Sequence, residues 1–351
     1  MPGGGPGTRI RMTPNLASLM KERGDGGDAM RDLPEDDARA LLAAILAGEV
    51  PATELRATLV ALARQRQSVG QTLGFLRALA AHAACLDAPA DQPRPVVLPA
   101  GDGTRTQPNL TALLALLLAR YGVPVVVHGG SAAGETQPEP RAADRGMDES
   151  RSDRSGRVTS AAVLWELGVP PAMNLADAQS RLARHSIVYV PTGVLAPGLG
   201  RLLAGVPTLD VRASLNSLAT LLDPCGGEGY RVIGVAHPDD LPSMRAILTA
   251  TGANALLLCG SEGEPFADPC RQPQLEHFVA GLGTVCAEAE AAGVATKSAL
   301  PAAIDAPTTA AWIAQALAGE QPLPAPIVTQ LGCCLNGAHR AAAGAENCGN
   351  R

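Results

Sequence analysis

The chain has 351 residues, a formal net charge of −6, 46% hydrophobic residues and only 2% aromatic ones. That length supports two domains, or one large α/β domain with an appendage. The acidic total argues against a uniformly basic, nonspecific nucleic-acid coat and leaves room only for a local arginine stripe, since lysine occurs only at Lys21 and Lys297.

Residues 1–30 are glycine- and proline-rich with scattered charge and read as a disordered tail. No apolar run in the chain reaches transmembrane length, and MPGGGPGTRIRM lacks the apolar core of a signal peptide, so a cytoplasmic protein with reduced thiols is expected. From Leu33 the pattern turns helical. Pro34 and the acids behind it open a helix with Ala38, Leu41, Leu42, Ile45 and Leu46 on one face, and Gly48 ends it. Pro51 opens a second helix with Leu55, Leu59, Val60 and Leu62 on its apolar side, and a third runs from about Val69 to Cys85. Short apolar helices with little aromatic bulk call for a partner surface. Arg64 and Arg66 end the second helix, either as solvated cations favoured by the helix dipole or as part of an arginine-lined groove.

After a linker over 86–95 comes VVLPAGDGTRTQPNLTALLALLLARYGVPVVVHGG, residues 96–130. It reads as strand, glycine turn, helix (Thr111 to Tyr121), stop at Gly122, and second strand: a βαβ unit with a buried parallel sheet. Ligands of such sheets bind at the carboxyl ends of the strands, where Gly101–Gly103 and Gly129-Gly130 fall. Gly101, Asp102, Gly103, Asn109 and Thr111 are candidates for a partial phosphate cradle, with His128 and Gly129 beside them; a tight β–α turn with a packing histidine is the competing reading. Residues 131–158 form a long polar stretch whose arginines, from Arg141 to Arg157, alternate with acids, and it reads as a flexible loop. Short helices over Thr159–Gly168 and Leu175–Arg184 precede a strand at Ile187–Val190. Further strands are expected at Arg231–Val235 and Ala255–Leu258, around a helix at Leu241–Ala250. A late helix spans Thr308–Leu317, and 336–351 reads as a small-residue tail. The eight cysteines show no CxxC pair and no zinc-like spacing with histidine. Cys333-Cys334 reads as a pair of buried small hydrophobes rather than a redox pair.

Three of these segments carry a family resemblance. Leu98-Pro99-Ala100-Gly101-Asp102, Asn109-Leu110-Thr111 and Val127-His128-Gly129-Gly130-Ser131 stand where anthranilate phosphoribosyltransferases, of the glycosyltransferase family 3 superfamily, carry GTGGD, N-x-S/T and KHGN/R. The helical segment from Leu33 and the stretch VPTGVLAPGLGRLLAGVPTLDVRASLNSLATLLDP align as well, and the spelling LPAGDGTRTQPNLT…VVHG resembles the YbiB-like branch of that family most. The resemblance implies an α/β fold: a small N-terminal helical domain, 31–88, with a returning segment at about 192–212, and a larger domain, 93–190 and 213–335, with a mostly parallel sheet. It implies a homodimer through the helical domain and a nucleic-acid-binding role without the usual transferase activity. The candidate phosphate contacts for nucleic acid are Arg64, Arg66, Arg201 and Arg212. An active glycosyl- or phosphoribosyltransferase with an altered acceptor is the alternative. No cofactor is expected; Mg2+ would accompany only an active enzyme. Where the family has a G-L-D-E magnesium motif, this chain has Ser261-Glu262-Gly263-Glu264, which leaves Glu262 and Glu264 as weak metal candidates.

Overall fold

The computed structural model describes residues 32–64, 67–89, 91–130, 156–205, 209–291 and 300–345. The 1–30 tail, Arg66 and most of the 131–158 loop lie outside them.

Three helices come first: α1 (Glu35–Ala47), α2 (Ala52–Ala63) and α3 (Val69–His82). Helix α1 begins at Pro34 with Glu35, Asp36 and Asp37 in its first turn and stops at Gly48, whose φ of 78° closes the helix in the left-handed region. The Ser68 side chain caps α3 by accepting from the Gln71 amide. Gly74 lets α3 lie directly on α1, since a Cβ there would sit 2.2 Å from the Glu35 carbonyl oxygen.

The sheet has seven strands in the order β3-β2-β1-β4-β5-β6-β7. Strands β1 (Val96–Ala100), β2 (Val125–Gly129), β3 (Ile187–Pro191), β4 (Tyr230–Val235) and β5 (Ala255–Cys259) are parallel; β6 (Leu275–Val279) and β7 (Leu282–Ala287) add an antiparallel hairpin. The parallel strands are apolar on both faces because both faces are covered. Val96, Leu98, Val125, Val127 and Tyr189 pack under α4 (Thr111–Arg120), α5 (Ser160–Glu166), α11 (Ala306–Ala318) and α12 (Ala325–Ala345). Val97, Val126, Val188 and Val190 pack on the other side, in one core with α1–α3 and the segment α7 (Thr192–Leu195), α8 (Pro197–Gly205) and α9 (Leu209–Thr220). Helix α6 (Leu175–His185) joins that layer, and α10 (Leu241–Ala250) covers β4 and β5.

Two expectations change. The apolar faces of α1–α3 are already covered within the chain: Leu41, Leu42, Leu59, Leu62, Phe75 and Leu79 share a core with Leu199, Leu203 and Leu215 of α8 and α9. The argument that these faces need a second copy therefore does not hold. The expected tail from 336 is helical as far as Ala345. Its alanines favour helix, and Gly337 lets α12 pass over the Tyr230 ring, which a Cβ would enter at 2.2 Å. Among the described residues no helix is long and apolar enough to cross a membrane.

Candidate functional site

The chain runs β1→β2→β3 to one side of the sheet and then restarts with β4 on the other side of β1. The switch point between β1 and β4 is where an open parallel sheet leaves a crevice at its carboxyl edge. The turn Gly101–Gly103 stands there. A 3-10 turn at Ser261–Gly263, just after β5, folds back onto it.

The amides of the glycine turn already have acceptors. Gly103 N–H donates to Glu264 Oε1 at 2.8 Å. The amides of Arg105 (2.9 Å) and Thr106 (2.8 Å), with the Thr106 hydroxyl (2.8 Å), all donate to Glu262 Oε1. Glu262 holds a left-handed backbone (φ 54°), a conformation uncommon for a side-chain-bearing residue, and these three bonds offset its cost. Partial burial raises its pKa, but the Thr106 and Arg105 amides outweigh this and hold the carboxylate below its usual range. Arg157 closes the other side, donating from Nη1 to the Gly103 carbonyl at 2.7 Å and lying 3.4 Å from Glu262 Oε2.

Glu264 is almost wholly buried. Burial dominates its titration and moves its pKa from 4.5 up to about 7, against the pull of the Gly103 and Gly101 amides and Ser160. Ser160 Oγ lies 3.2 Å from both Glu264 Oε2 and Asn109 Oδ1. A hydroxyl has one proton. With Glu264 protonated the chain runs Glu264→Ser160→Asn109; with Glu264 ionised, Ser160 turns its proton to the carboxylate.

The remaining candidates separate into buried and exposed groups. Asn109 and Thr111 are fully buried: Asn109 Nδ2 donates to the Val158 carbonyl, and its Oδ1 accepts from the Thr111 amide. They hold the turn and the start of α4 together and are sealed from a ligand. His128, on β2, is buried, and neither ring nitrogen has a hydrogen-bond partner among the described residues. Burial dominates and lowers its pKa from 6.5 to about 4; the Leu222 carbonyl, near the ring but short of hydrogen-bond geometry, opposes this, and the Arg231 charge adds a smaller lowering. It is a neutral packing histidine. Gly129 is required by close approach, because a Cβ there would stand 2.2 Å from the Ala100 carbonyl oxygen. Asp102 accepts from Asn216 Nδ2 of α9 at 2.5 Å and lies 3.7 Å from Arg212 Nε, so the turn is tied to the helical layer. Arg212 is more than a third exposed at that seam. Arg201 faces a different partner, donating to the Leu46 carbonyl at the end of α1, where it braces a helix terminus. Arg64 ends α2 and is exposed.

The pair expected to hold a metal does not fit one. The Glu262 and Glu264 oxygens point at N–H and O–H donors, whose positive ends stand where a cation would sit. Among the described residues the one group of three or more metal-capable side chains lies elsewhere, at His277, Cys286 and Cys333. Sequence reasoning missed Ser160, Asn216 and the carboxylate closure itself, because the partners lie as far as 161 residues apart in the chain.

No family model matches the chain. Over 319 residues it is 36% identical to protein YbiB of Escherichia coli (strain K12), covering 90% of this chain and 92% of that one. An anthranilate phosphoribosyltransferase of Methanosphaerula palustris is 28% identical over 235 residues, which is 66% of this chain and 62% of that one. Among solved structures, anthranilate phosphoribosyltransferase (TrpD) from Thermus thermophilus superposes with a TM-score of 0.63 at 23% identity, covering 89% of this chain and 87% of that one. The Saccharomyces cerevisiae enzyme in complex with PRPP and Mg gives 0.58 at 16% identity, covering 93% and 92%. The chain thus belongs to the YbiB-like branch of the anthranilate phosphoribosyltransferase superfamily.

Proposed function

We propose that the chain is a homodimeric nucleic-acid-binding protein in which the transferase turn is closed by internal carboxylates. The observation that carries the loss of transfer chemistry is the occupation of the Gly103, Arg105 and Thr106 amides by Glu262 and Glu264. A diphosphate would have to expel both carboxylates from the donors it needs, and its own charge would be repelled by them. The two acids expected to hold Mg2+ are the ones that block the cradle. By identity and coverage the chain is more similar to YbiB than to the Methanosphaerula palustris transferase.

Nucleic acid is then held through exposed arginines, which stay charged and grip phosphate bidentately. Arg64, which is exposed, and Arg212, half-exposed beside Asp102, are assigned this role; Arg201 is exposed as well, but its donation to the Leu46 carbonyl assigns it to bracing the end of α1. Such contacts read the backbone and carry little sequence preference. The test is the salt dependence of binding to a single-stranded oligonucleotide, run beside a transferase assay with anthranilate and phosphoribosyl diphosphate. Turnover stays below roughly 1 per second, a tenth of the median enzyme value of about 10 per second. Turnover at or above that rate supports the alternative, an active transferase.

The homodimer rests on the resemblance. Sedimentation of dilute protein is expected to give twice the chain mass of 35.8 kDa, and a monomer at every concentration removes the assembly part of the proposal.

A further inference from the structure

Apart from the glycine-turn site, three elements bring soft ligands together. His277 lies on β6, Cys286 on β7 and Cys333 on α12. Their ligand atoms all lie within 4.8 Å of one another; His277 and Cys333 are buried and Cys286 is half-buried. The three line an open cavity of ≈ 330 Å³ together with Thr284, Thr329 and Asn336. We propose that His277, Cys286 and Cys333 bind Zn2+ as a three-ligand site with the fourth position open to this cavity.

The chemistry of the donor set points to that ion. Two thiolates and an imidazole suit a borderline-soft divalent cation, and three protein ligands with one open position is the arrangement of an exchangeable zinc site. Ideal tetrahedral bonds of ~2.3 Å to sulfur and ~2.0 Å to nitrogen place ligand atoms roughly 3.6–3.8 Å apart. Side-chain rotations that close at most about 1 Å therefore complete the site, with no movement of the strands. The histidine is held as metal-binding histidines are: its Nδ1 is hydrogen-bonded to the hydroxyl of buried Tyr230, a partner that fixes the ring's orientation. His277 pairs with Thr284, and Cys286, two residues further along that strand, falls on the same face, which lines the cavity with α12. The hydroxyls of Thr284 and Thr329 and the amide of Asn336 supply polar partners for a water in the open position. Binding releases the thiol protons, so uptake strengthens as pH rises. The spacing carries no sequence signature because the ligands come from two strands and a helix.

The test is titration of the reduced full-length chain with Zn2+ against a chromophoric chelator, with Co2+ as a spectroscopic stand-in. One Zn2+ per chain is expected with a submicromolar Kd. Co2+ should give a thiolate-to-metal charge-transfer band and tetrahedral d–d bands. Cys286→Ser and Cys333→Ser should each weaken binding at least tenfold, while Cys259→Ser, at the end of β5, leaves it unchanged. Cys286 is half-buried on an edge strand, so its variant keeps the test sound if Cys333→Ser does not fold. His277→Gln, which keeps a polar group beside Tyr230, should also lose the metal. Zn2+ below a tenth of an equivalent, a Co2+ spectrum without the thiolate band, or uptake undiminished in folded Cys286→Ser overturns the proposal. So does a Cys286–Cys333 disulfide formed in air by a chain that takes up no metal when reduced.

Discussion

Replacing Glu264 by glutamine is expected to uncover a pH dependence of stability that the parent chain hides. Glu264 titrates at about 7 in the folded chain against 4.5 ordinarily. A carboxyl whose folded pKa is raised contributes stability that is full below pH 4.5 and is lost as pH climbs to 7, because the unfolded chain releases the proton first. His128 does the reverse. Its folded pKa of about 4 against 6.5 means the unfolded chain takes up the proton first, so its contribution is full above pH 6.5 and is lost as pH falls to 4. Each shift of about 2.5 corresponds to about 3 kcal/mol at 1.36 kcal/mol per pKa unit. The two windows overlap with opposite slopes, and the contributions cancel to within about 1 kcal/mol between pH 4 and 7. Glutamine keeps an acceptor for the Gly103 amide and a donor for Ser160, so Glu264→Gln removes one titration and leaves the turn in place. Urea midpoints should then rise by the equivalent of about 3 kcal/mol from pH 4 to 6.5 relative to the parent. His128→Leu, which also removes two unpaired buried nitrogens, should show the opposite trend, falling by about 3 kcal/mol from pH 4.5 to 7. Parallel curves for parent and both variants would mean that neither group is held as the structure places it.

The second large effect concerns the turn itself. Gly103 has φ +86°, and a Cβ there would lie 2.5 Å from the Val158 carbonyl oxygen. That carbonyl accepts from the Thr104 amide in the bridge that fastens the turn to the start of α5. Alanine at this position costs ~1–2 kcal/mol for left-handed backbone and ~1–3 kcal/mol for overpacking against a rigid carbonyl. Gly103→Ala should thus lose about 3 kcal/mol or more, with an unchanged m-value. Gly101→Ala meets only the Glu264 carboxylate at 3.0 Å, the movable end of a side chain, and should cost under about 1.5 kcal/mol. Equal costs at the two glycines would contradict the geometry given for this turn.

Much of the fold is written locally. The β1–α4–β2 unit is legible because its strands are apolar on both faces and its helix stops at a glycine, and α10 matches its expected bounds, Leu241–Ala250. The β6–β7 hairpin carries a weaker signal. Its outer strand leaves Leu282 and Val285 exposed, so burial does not enforce clean alternation, and its tight turn falls at Ala280-Gly281 rather than at a strong turn pair. The site was less legible than the fold. The position of Gly101, Asp102 and Gly103 at the strand end is legible in the sequence, but whether the turn's amides face a ligand or a carboxylate is decided by Glu262 and Glu264, more than 150 residues away. Separations of 155 and 110 residues hide the different fates of two similar arginines: Arg201 meets the end of α1, and Arg212 stands at the Asp102 seam. Local sequence gives no sign of either partner.

The central claim, a nucleic-acid-binding protein with a closed transferase turn, is tested most directly by the slope of log K against log salt for a single-stranded oligonucleotide. Each phosphate contact adds about 0.7 to that slope on a single strand. The Arg64→Ala/Arg212→Ala double variant should therefore weaken binding to all sequences alike and lower the slope by about 1.4. Arg201→Ala should cost stability at the end of α1 and leave the slope of the folded protein unchanged. Absence of salt-dependent binding by the parent chain, or an unchanged slope in the folded double variant, would contradict the account.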